Sequence, residues 1–349
     1  MKPSYTLLML AGSALSLSGQ QTFSGPARGY VFDDVERSIR AILGVPGAAY
    51  LGSQPGSLPQ PAWDSVSVAP NGKRALGAIG LSVNLIPDLS HTASFTSLAQ
   101  VSGPISKIAW SADSTTAAIW SSAPGQLRRI TGLDSTPLVH DPIDLAALAG
   151  VLSGWSLSPD GRYLALSGSA SVYLSDRDAA PVPIGSLADP GAVAFARDGT
   201  SVFVFNGAEH RIQKFDLPSG AVAGATVLGT WDASLFDSAK GTAVVEAGIR
   251  GSRLRRPSPA GVQDLAVSAD GARLYAVGGD TLCGYDVSSG EMPSCSSLEM
   301  TPRSFQSMPG GLLLLNYRRA RGMPLWLLDE KTGQTWFVPV GNATADASF

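Results

Sequence analysis

Short apolar segments alternate with polar turns along most of this chain. Within a segment, apolar residues alternate with polar or small ones, as in Ser65-Val66-Ser67-Val68. A period of two residues is typical of a β-strand with one face toward a core. The turns carry Pro, Asp, Asn and Gly, which favour tight reversals of the backbone. The pattern therefore predicts an all-β protein of antiparallel strands joined by short turns.

The strand–turn–strand unit recurs seven times. In the copy SGWSLSPDGRYLALSGS, Pro159 pre-sets one φ, Asp160 caps the turn through its side chain, and Gly161 adopts positive φ. Successive copies lie about 40 residues apart, a repeat length typical of propeller blades. The aligned turn residues are Gly72, Ser114, Gly161, Gly199, Gly241, Gly271 and Gly310.

Several copies continue into a third strand with an acidic end, such as SVYLSDRDA from Ser171, and a fourth, such as QTWFVPV from Gln334. A single blade cannot bury both of its faces, so such units stack in a ring. We predict a single β-propeller of about seven four-stranded blades, with the blades in residues 64–349.

The turn sequences SPDGRYLAL, SADGARLYAV and ARDGTSVFVF, with third strands that end on Asp, resemble the bacterial WD-repeat-like (WD40-like) and YVTN-type propeller repeats. The resemblance covers most of residues 64–341 and implies the fold. It does not imply an activity, because propellers host scaffolds, receptors and enzymes alike.

Two units depart from the pattern. Ser114 replaces the turn Gly of the second, and the fifth, at Gly241, is followed early by the next turn, which predicts a lost or shortened strand.

Residues 1–20 have the features of a secretory signal peptide. Lys2 provides a positive start, residues 6–17 (TLLMLAGSALSL) are apolar, and small or polar residues follow. A membrane span needs about 20 apolar residues, more than this run provides. We expect a periplasmic or secreted protein without a stable membrane span. A buried strand or an N-terminal anchor is the alternative for this segment.

Residues 21–63 are predicted to hold closing strands and a loop. The stretch GYVFDDVERSIRAIL, residues 29–43, resembles the second half of a blade, and Tyr30-Val31-Phe32 is rich in strand-forming residues. We expect this segment to complete the last blade or to add an outer hairpin. An amphipathic helix over residues 35–43 is the alternative.

The two cysteines flank a turn between the third and fourth strands of the predicted sixth blade. Cys283 and Cys295 are equidistant from Ser289, inside that turn. In an antiparallel hairpin, residues equidistant from the turn face each other. An exported protein meets an oxidising compartment, so we predict a disulfide. Two independent buried thiols are the alternative.

Composition excludes several classes of function. Only 15% of residues are charged and 44% are hydrophobic, which argues against disorder, and a net charge of −3 argues against a nucleic-acid partner. The three histidines fall in different units without metal-ligand spacing, and no nucleophile, zinc-protease or phosphate-loop motif occurs. We therefore predict no metal, no cofactor and no catalytic residue.

Two tryptophans are candidates for a ligand-binding rim. Trp63 and Trp231 stand at the same place in two units, before the predicted innermost strand and near the mouth of the channel. Aromatic side chains there would contact a ligand. The alternative is that they pack between blades.

Arginine-rich loops are the second candidate for this rim. If both loops lie on one face, their combined positive field would attract carboxylate or phosphate groups. The alternative is solvated loop charge. The residues are Arg250, Arg253, Arg255, Arg256, Arg318, Arg319 and Arg321.

These features favour a non-enzymatic binding or scaffold propeller outside the cytoplasm, with a protein or an anionic ligand as partner. A rigid ring with variable loops displays a binding surface without needing chemistry. The alternative is a propeller hydrolase of the lactonase type, with its site at the central channel.

Overall fold

The computed structural model shows an all-β protein built as a seven-bladed β-propeller. The only helical elements among the described residues are two 3-10 helices, Ala146–Leu148 and Ser234–Asp237. The first of them lies within the segment 144–152, between two blades. The described residues are 27–45, 47–52, 61–89, 94–122, 125–148, 152–168, 170–217, 227–237, 261–289, 293–302, 304–315 and 323–339.

The blades are antiparallel sheets whose strands follow one another in chain order. Blade 1 consists of β1 (Ala27–Asp33), β2 (Ser38–Leu43) and β3 (Tyr50–Leu51). Blade 2 consists of β4 (Ser65–Val68), β5 (Ala75–Ile79), β6 (Ser82–Ile86) and β7 (Thr96–Gln100). Blade 3 consists of β8 (Ile105–Trp110), β9 (Ala117–Ser121), β10 (Gln126–Thr131) and β11 (Leu138–Val139). Blade 4 consists of β12 (Gly154–Leu157), β13 (Tyr163–Gly168), β14 (Ser171–Asp176) and β15 (Val182–Ser186).

The remaining blades repeat the same meander. Blade 5 consists of β16 (Pro190–Phe195), β17 (Ser201–Asn206), β18 (Arg211–Asp216) and β19 (Val227–Asp232). Blade 6 consists of β20 (Asp264–Val267), β21 (Arg273–Gly278), β22 (Thr281–Asp286) and β23 (Ser294–Ser297). Blade 7 consists of β24 (Gln306–Met308), β25 (Leu312–Leu314), β26 (Leu325–Asp329) and β27 (Thr335–Val338).

Seven hydrophobic clusters hold the ring together, and each spans two neighbouring blades. Between blades 4 and 5, for example, Val172 and Leu174 pack with Val202 and Val204. Because both faces of a blade are apolar, each sheet depends on two neighbours for burial. The core of the protein is therefore distributed around the ring.

The turns between first and second strands have the predicted chemistry. The Ser158 hydroxyl donates to Asp160 at 2.6 Å, and Asp160 accepts the backbone N–H of Arg162 at 3.0 Å. Blades 3 and 6 repeat the hydroxyl–carboxylate bond. Gly161 has φ of 73°. The Asp residues of these turns are therefore structural caps, as the sequence predicts.

Ser114 shows why the second repeat tolerates the loss of its turn glycine. It adopts φ of 64° and is fully buried. Its hydroxyl accepts the backbone N–H of Asn71, from the corresponding turn of blade 2, at 3.1 Å. This bond between blades offsets part of the cost of a left-handed backbone in a residue with a Cβ.

Residues 27–51 form strands, as predicted, but they build a separate sheet. Val31 and Ile42 pack against blade 7, whereas Phe32 and Ile39 pack against blade 2. The segment therefore closes the ring as a blade of its own, and the expectation that it would complete the last blade is corrected. Its hairpin has apolar residues on both faces, which suits insertion between two sheets.

In its described residues, the predicted fifth unit does not begin a blade. Residues 231–232 end β19, and the chain then enters the 3-10 helix Ser234–Asp237, where Asp232 caps the backbone N–H of Ser234 at 2.9 Å. The turn at Gly241 lies outside the described residues. Blades 5 and 6 pack directly on each other through Phe203, Trp231 and Tyr285. Six repeat units and the N-terminal blade therefore make up the seven sheets.

The predicted disulfide is present. Cys283 on β22 is paired in register with Cys295 on β23, their Cα atoms lie 4.1 Å apart, and the two sulfurs are bonded. Cys283 is fully buried in the cluster between blades 5 and 6. The bond therefore ties the exposed outer strand of blade 6 to the core.

We expect replacement of both cysteines by alanine to lower the free energy of unfolding by about 2–3 kcal/mol, because a crosslink of this span restricts the unfolded chain. Denaturant unfolding of unreduced protein and variant measures the difference. Reductant should shift the midpoint of the parent protein and leave that of the variant unchanged. An identical midpoint for the reduced and unreduced parent would contradict this role.

Candidate functional site

The central channel contains a cavity of about 230 Å³. Its walls come from the first strands of blades 2 to 6 and from residues 304–307 of blade 7. Each of these strands is the edge of its sheet, so one side of its backbone has no strand partner within that sheet. The cavity therefore offers backbone hydrogen-bonding groups in addition to its side chains.

Lys107 enters the cavity from blade 3. The pairing of β8 with β9 is irregular between Ile105 and Lys107, where one extra residue is accommodated. Such a bulge redirects side chains and is frequent near functional sites. The Lys107 ammonium donates to the backbone carbonyl of Trp155, on blade 4, at 3.2 Å and lies 5.3 Å from the centre of the Trp155 ring.

Asp264 reaches Lys107 from the other side of the ring. The Lys107 Nζ–Asp264 Oδ1 distance is 3.7 Å, and the Lys107 and Asp264 side chains are 36% and 9% exposed. The other carboxylate oxygen of Asp264 accepts the backbone N–H of Phe305, at the start of blade 7, at 2.8 Å. An ion pair between blades 3 and 6 thus crosses the channel, with its carboxylate fixed and its ammonium more accessible.

Arg197 lies in the turn between the first two strands of blade 5 and is exposed where it lines the cavity. The corresponding turn residues of blades 2 to 4, which also line the cavity, are Pro70, Ala112 and Pro159. Burial raises the pKa of Glu330, on blade 7, and the charge of Arg197 acts in the opposite direction. Arg197 therefore gives this mouth of the channel a positive charge.

Few ionisable groups line the cavity in the described part of the chain. Among the described residues that line it, Asp264 is the only carboxylate, and it is engaged by Lys107 and Phe305. The described residues also contain no group of three metal-ligating side chains. Serine hydroxyls, including those of Ser106 and Ser156, add neutral hydrogen-bonding capacity to the walls.

Both candidate tryptophans are buried between blades, the packing alternative considered above. Trp63 is 2% exposed, precedes the first strand of blade 2, and packs edge-on against Phe95. Trp231 is 5% exposed and lies on β19, the outermost strand of blade 5, where its indole N–H donates to the Asp286 carbonyl at 3.2 Å. The expectation that both precede an innermost strand is wrong for Trp231, because the fifth unit does not start a blade.

The arginine candidates fall in residues 250–256 and 318–321, which lie outside the described part of the chain. Their shared rim stays a prediction. Among the described residues, the charged groups that line the channel are Lys107, Arg197 and Asp264, none of which is among the predicted rim residues.

An alignment of the repeats contains a sequence signal that could have identified Lys107 and Asp264. Each of blades 2 to 6 has one residue six positions before its turn Asp or Asn. In blade order these residues are Ser65, Lys107, Gly154, Ala192 and Asp264. Opposite charges at one position of the innermost strand indicate two side chains that can meet across a ring. Only the closed ring shows that blades 3 and 6 bring them within reach.

A second polar cluster joins the outer parts of blades 3 and 4. Asp178 of blade 4 accepts from Arg129 Nη2 at 2.8 Å and lies 2.7 Å from His140 Nδ1. The Nε2 atom of His140 lies 2.9 Å from the Thr131 hydroxyl. Arg129, 5% exposed, also donates to the carbonyl of Gly161. This network of four side chains fastens two blades together and lies away from the cavity.

Of the remaining histidines, His210 has φ of 52° in the turn before β18, and His91 lies outside the described residues. Among the described residues, no helix has the length and apolar character needed to cross a bilayer.

Comparisons with known proteins show the fold alone. No family model and no curated protein sequence matches this chain. The Pseudomonas aeruginosa periplasmic gluconolactonase aligns with a TM-score of 0.55 at 17% identity, over 90% of this chain and 96% of that one. A Desulfotomaculum acetoxidans protein of unknown function gives 0.54 at 12%, over 90% and 100%. The β-propeller domain of a Myceliophteria thermophila protein gives 0.53 at 12%, over 91% and 97%.

We expect Asp178→Ala to lower the free energy of unfolding by about 1–3 kcal/mol, because the buried Arg129 loses its charged acceptor. Asp134→Ala, at an exposed site on blade 3, is the matched control and should change stability by less than about 0.5 kcal/mol. Chemical denaturation measures both. Equal stability of the two variants would show that the network does not fasten the blades.

Proposed function

We propose that this protein is an exported, non-enzymatic binding propeller that holds a small polar ligand in its central cavity. The observation that carries the proposal is the cavity itself, where a bulge presents the Lys107 ammonium to a space lined by serine hydroxyls and free strand edges. A concave site with a few convergent polar groups is the usual form of a small-molecule site.

Export is supported by two features. Residues 1–20 have the composition of a signal peptide. The Cys283–Cys295 disulfide is of the kind that persists in oxidising compartments. We accordingly assign the protein to the periplasm or the extracellular medium, and its repeats to the WD-repeat-like or YVTN-type group that their turn sequences resemble.

A lactonase-type hydrolase is the second candidate. The observation in its favour is the likeness of fold to the Pseudomonas aeruginosa periplasmic gluconolactonase, at 17% identity. Binding is favoured because the one carboxylate among the described lining residues is held in an ion pair and by a backbone N–H. Hydrolysis would need a free base near the scissile carbonyl.

The proposal predicts a ligand that is lost when the cavity is filled. The mature protein is incubated with the small-molecule fraction of its own cell envelope, desalted, and weighed by native mass spectrometry. We expect one added mass on the parent protein, its loss in Ser156→Trp, which fills the cavity, and its retention in Ser135→Trp, at an exposed turn of blade 3.

Two results would contradict the proposal. One is that no mass is retained by the parent, or that Ser156→Trp retains it unchanged. The other is turnover of gluconolactone above the spontaneous rate that is lost in Asp264→Asn, which would favour the hydrolase.

A further inference from the structure

We propose that the ligand of the central cavity is a small carboxylate, bound by the Lys107 ammonium in competition with Asp264; this inference rests on the proposed function.

Lys107 has hydrogen-bonding capacity to spare. An ammonium group has three N–H donors. Within the described part of the chain, one donor is engaged by the Trp155 carbonyl at 3.2 Å, and Asp264 lies at 3.7 Å, beyond good hydrogen-bonding distance. The side chain is 36% exposed in a position that lines the cavity. An incoming oxygen anion therefore finds free donors.

Asp264 is placed to balance Lys107 loosely. Its second oxygen is held by the Phe305 backbone N–H at 2.8 Å, and its side chain is 9% exposed. The carboxylate is therefore anchored to blade 7 and cannot follow the ammonium into the cavity. A ligand carboxylate that approaches Lys107 more closely gains the stronger charge-assisted bond.

The net charge of the lining selects a monoanion. The charged lining residues in the described ranges are Lys107, Arg197 and Asp264, which leave one positive charge in excess. A phosphate dianion carries one negative charge more than this lining offsets, and an uncompensated charge in a partly enclosed site is costly. One ammonium group is enough to neutralise a bound carboxylate, and Arg197 at the mouth attracts the carboxylate during entry.

The size and walls of the cavity define the rest of the ligand. Its volume of about 230 Å³ lies below the usual range of drug-sized ligand pockets, which suits a small molecule or a chain end. The Ser106 hydroxyl donates to the Trp120 carbonyl at 3.3 Å and can still accept a hydrogen bond. Together with Ser156 and the free strand edges, it suits a ligand with hydroxyl or amide groups. A free hydroxy acid and the C-terminus of a short peptide share this chemistry.

The test compares each carboxylate with its neutral amide. Titrations at low ionic strength are followed by calorimetry and by intrinsic tryptophan fluorescence. They compare acetate with acetamide, lactate with lactamide, and tri-alanine with its C-terminal amide. We expect at least one acid to bind at least tenfold more tightly than its amide. Preference for lactate indicates a free small acid, and preference for tri-alanine indicates a peptide terminus.

Three variants separate charge recognition from a structural role. Lys107→Met should abolish the preference for the acid, and Lys73→Met, an exposed lysine on blade 2, should leave it unchanged. Asp264→Asn keeps an acceptor for Phe305 and removes the competing charge, so it should raise the affinity for the acid severalfold. If the Lys107–Asp264 ion pair served only to stabilise the fold, both Lys107→Met and Asp264→Asn would bind the acid more weakly.

The inference is overturned if no acid binds more tightly than its amide, or if Asp264→Asn weakens binding of the acid while the variant melts like the parent protein. If acid and amide bind equally well and Ser156→Trp binds neither, the cavity is a binding site but its ligand is not recognised as a carboxylate. Retention of no envelope compound in the mass measurement would count against the binding function as a whole.

Discussion

The structure depends on one constraint: each blade is apolar on both faces and must be covered by a neighbour on each side. Seven clusters meet this need, and every one draws side chains from two blades. The constraint has no solution in a linear stack, whose end blades would each leave one face in water. Blade 1 solves it, because Phe32 faces blade 2 and Val31 faces blade 7 on opposite sides of one short strand.

Closing the ring also creates the site. The first strands of the blades come together around the axis with their free edges inward, so the centre of the molecule is lined by backbone edges, serines, aromatic side chains and a few charged groups. The Lys107–Asp264 pair lies where blades distant in sequence face each other, and a bulge in β8 aims the lysine. Fold and candidate site are therefore two consequences of the same closure, and the outer network around Asp178 serves the fold alone.

Features that depend on neighbouring residues could be predicted from the sequence. The Asp-capped turns and the Cys283–Cys295 pairing follow from spacing within one hairpin. Features that depend on which sheets become neighbours in the ring could not be predicted from the sequence. Trp231 lies ten residues before its turn glycine and Trp63 nine, yet Trp231 ends an outer strand, because the chain after Asp232 turns into a 3-10 helix. Lys107 and Asp264 are 157 positions apart, a distance at which only the ring decides contact.

Hydrogen–deuterium exchange of the intact protein tests most directly the central claim that residues 27–43 form a full member of the ring. Amides of β1 and β2 are paired in an antiparallel ladder and covered on both sides by blades 2 and 7. We predict that peptides from β2 exchange as slowly as those from β13 and β17, and that peptides from β1 exchange as slowly as those from the corresponding edge strands β12 and β16. Exchange of the N-terminal peptides at the rate of an unfolded chain, while the other blades stay protected, would contradict closure of the ring by this blade.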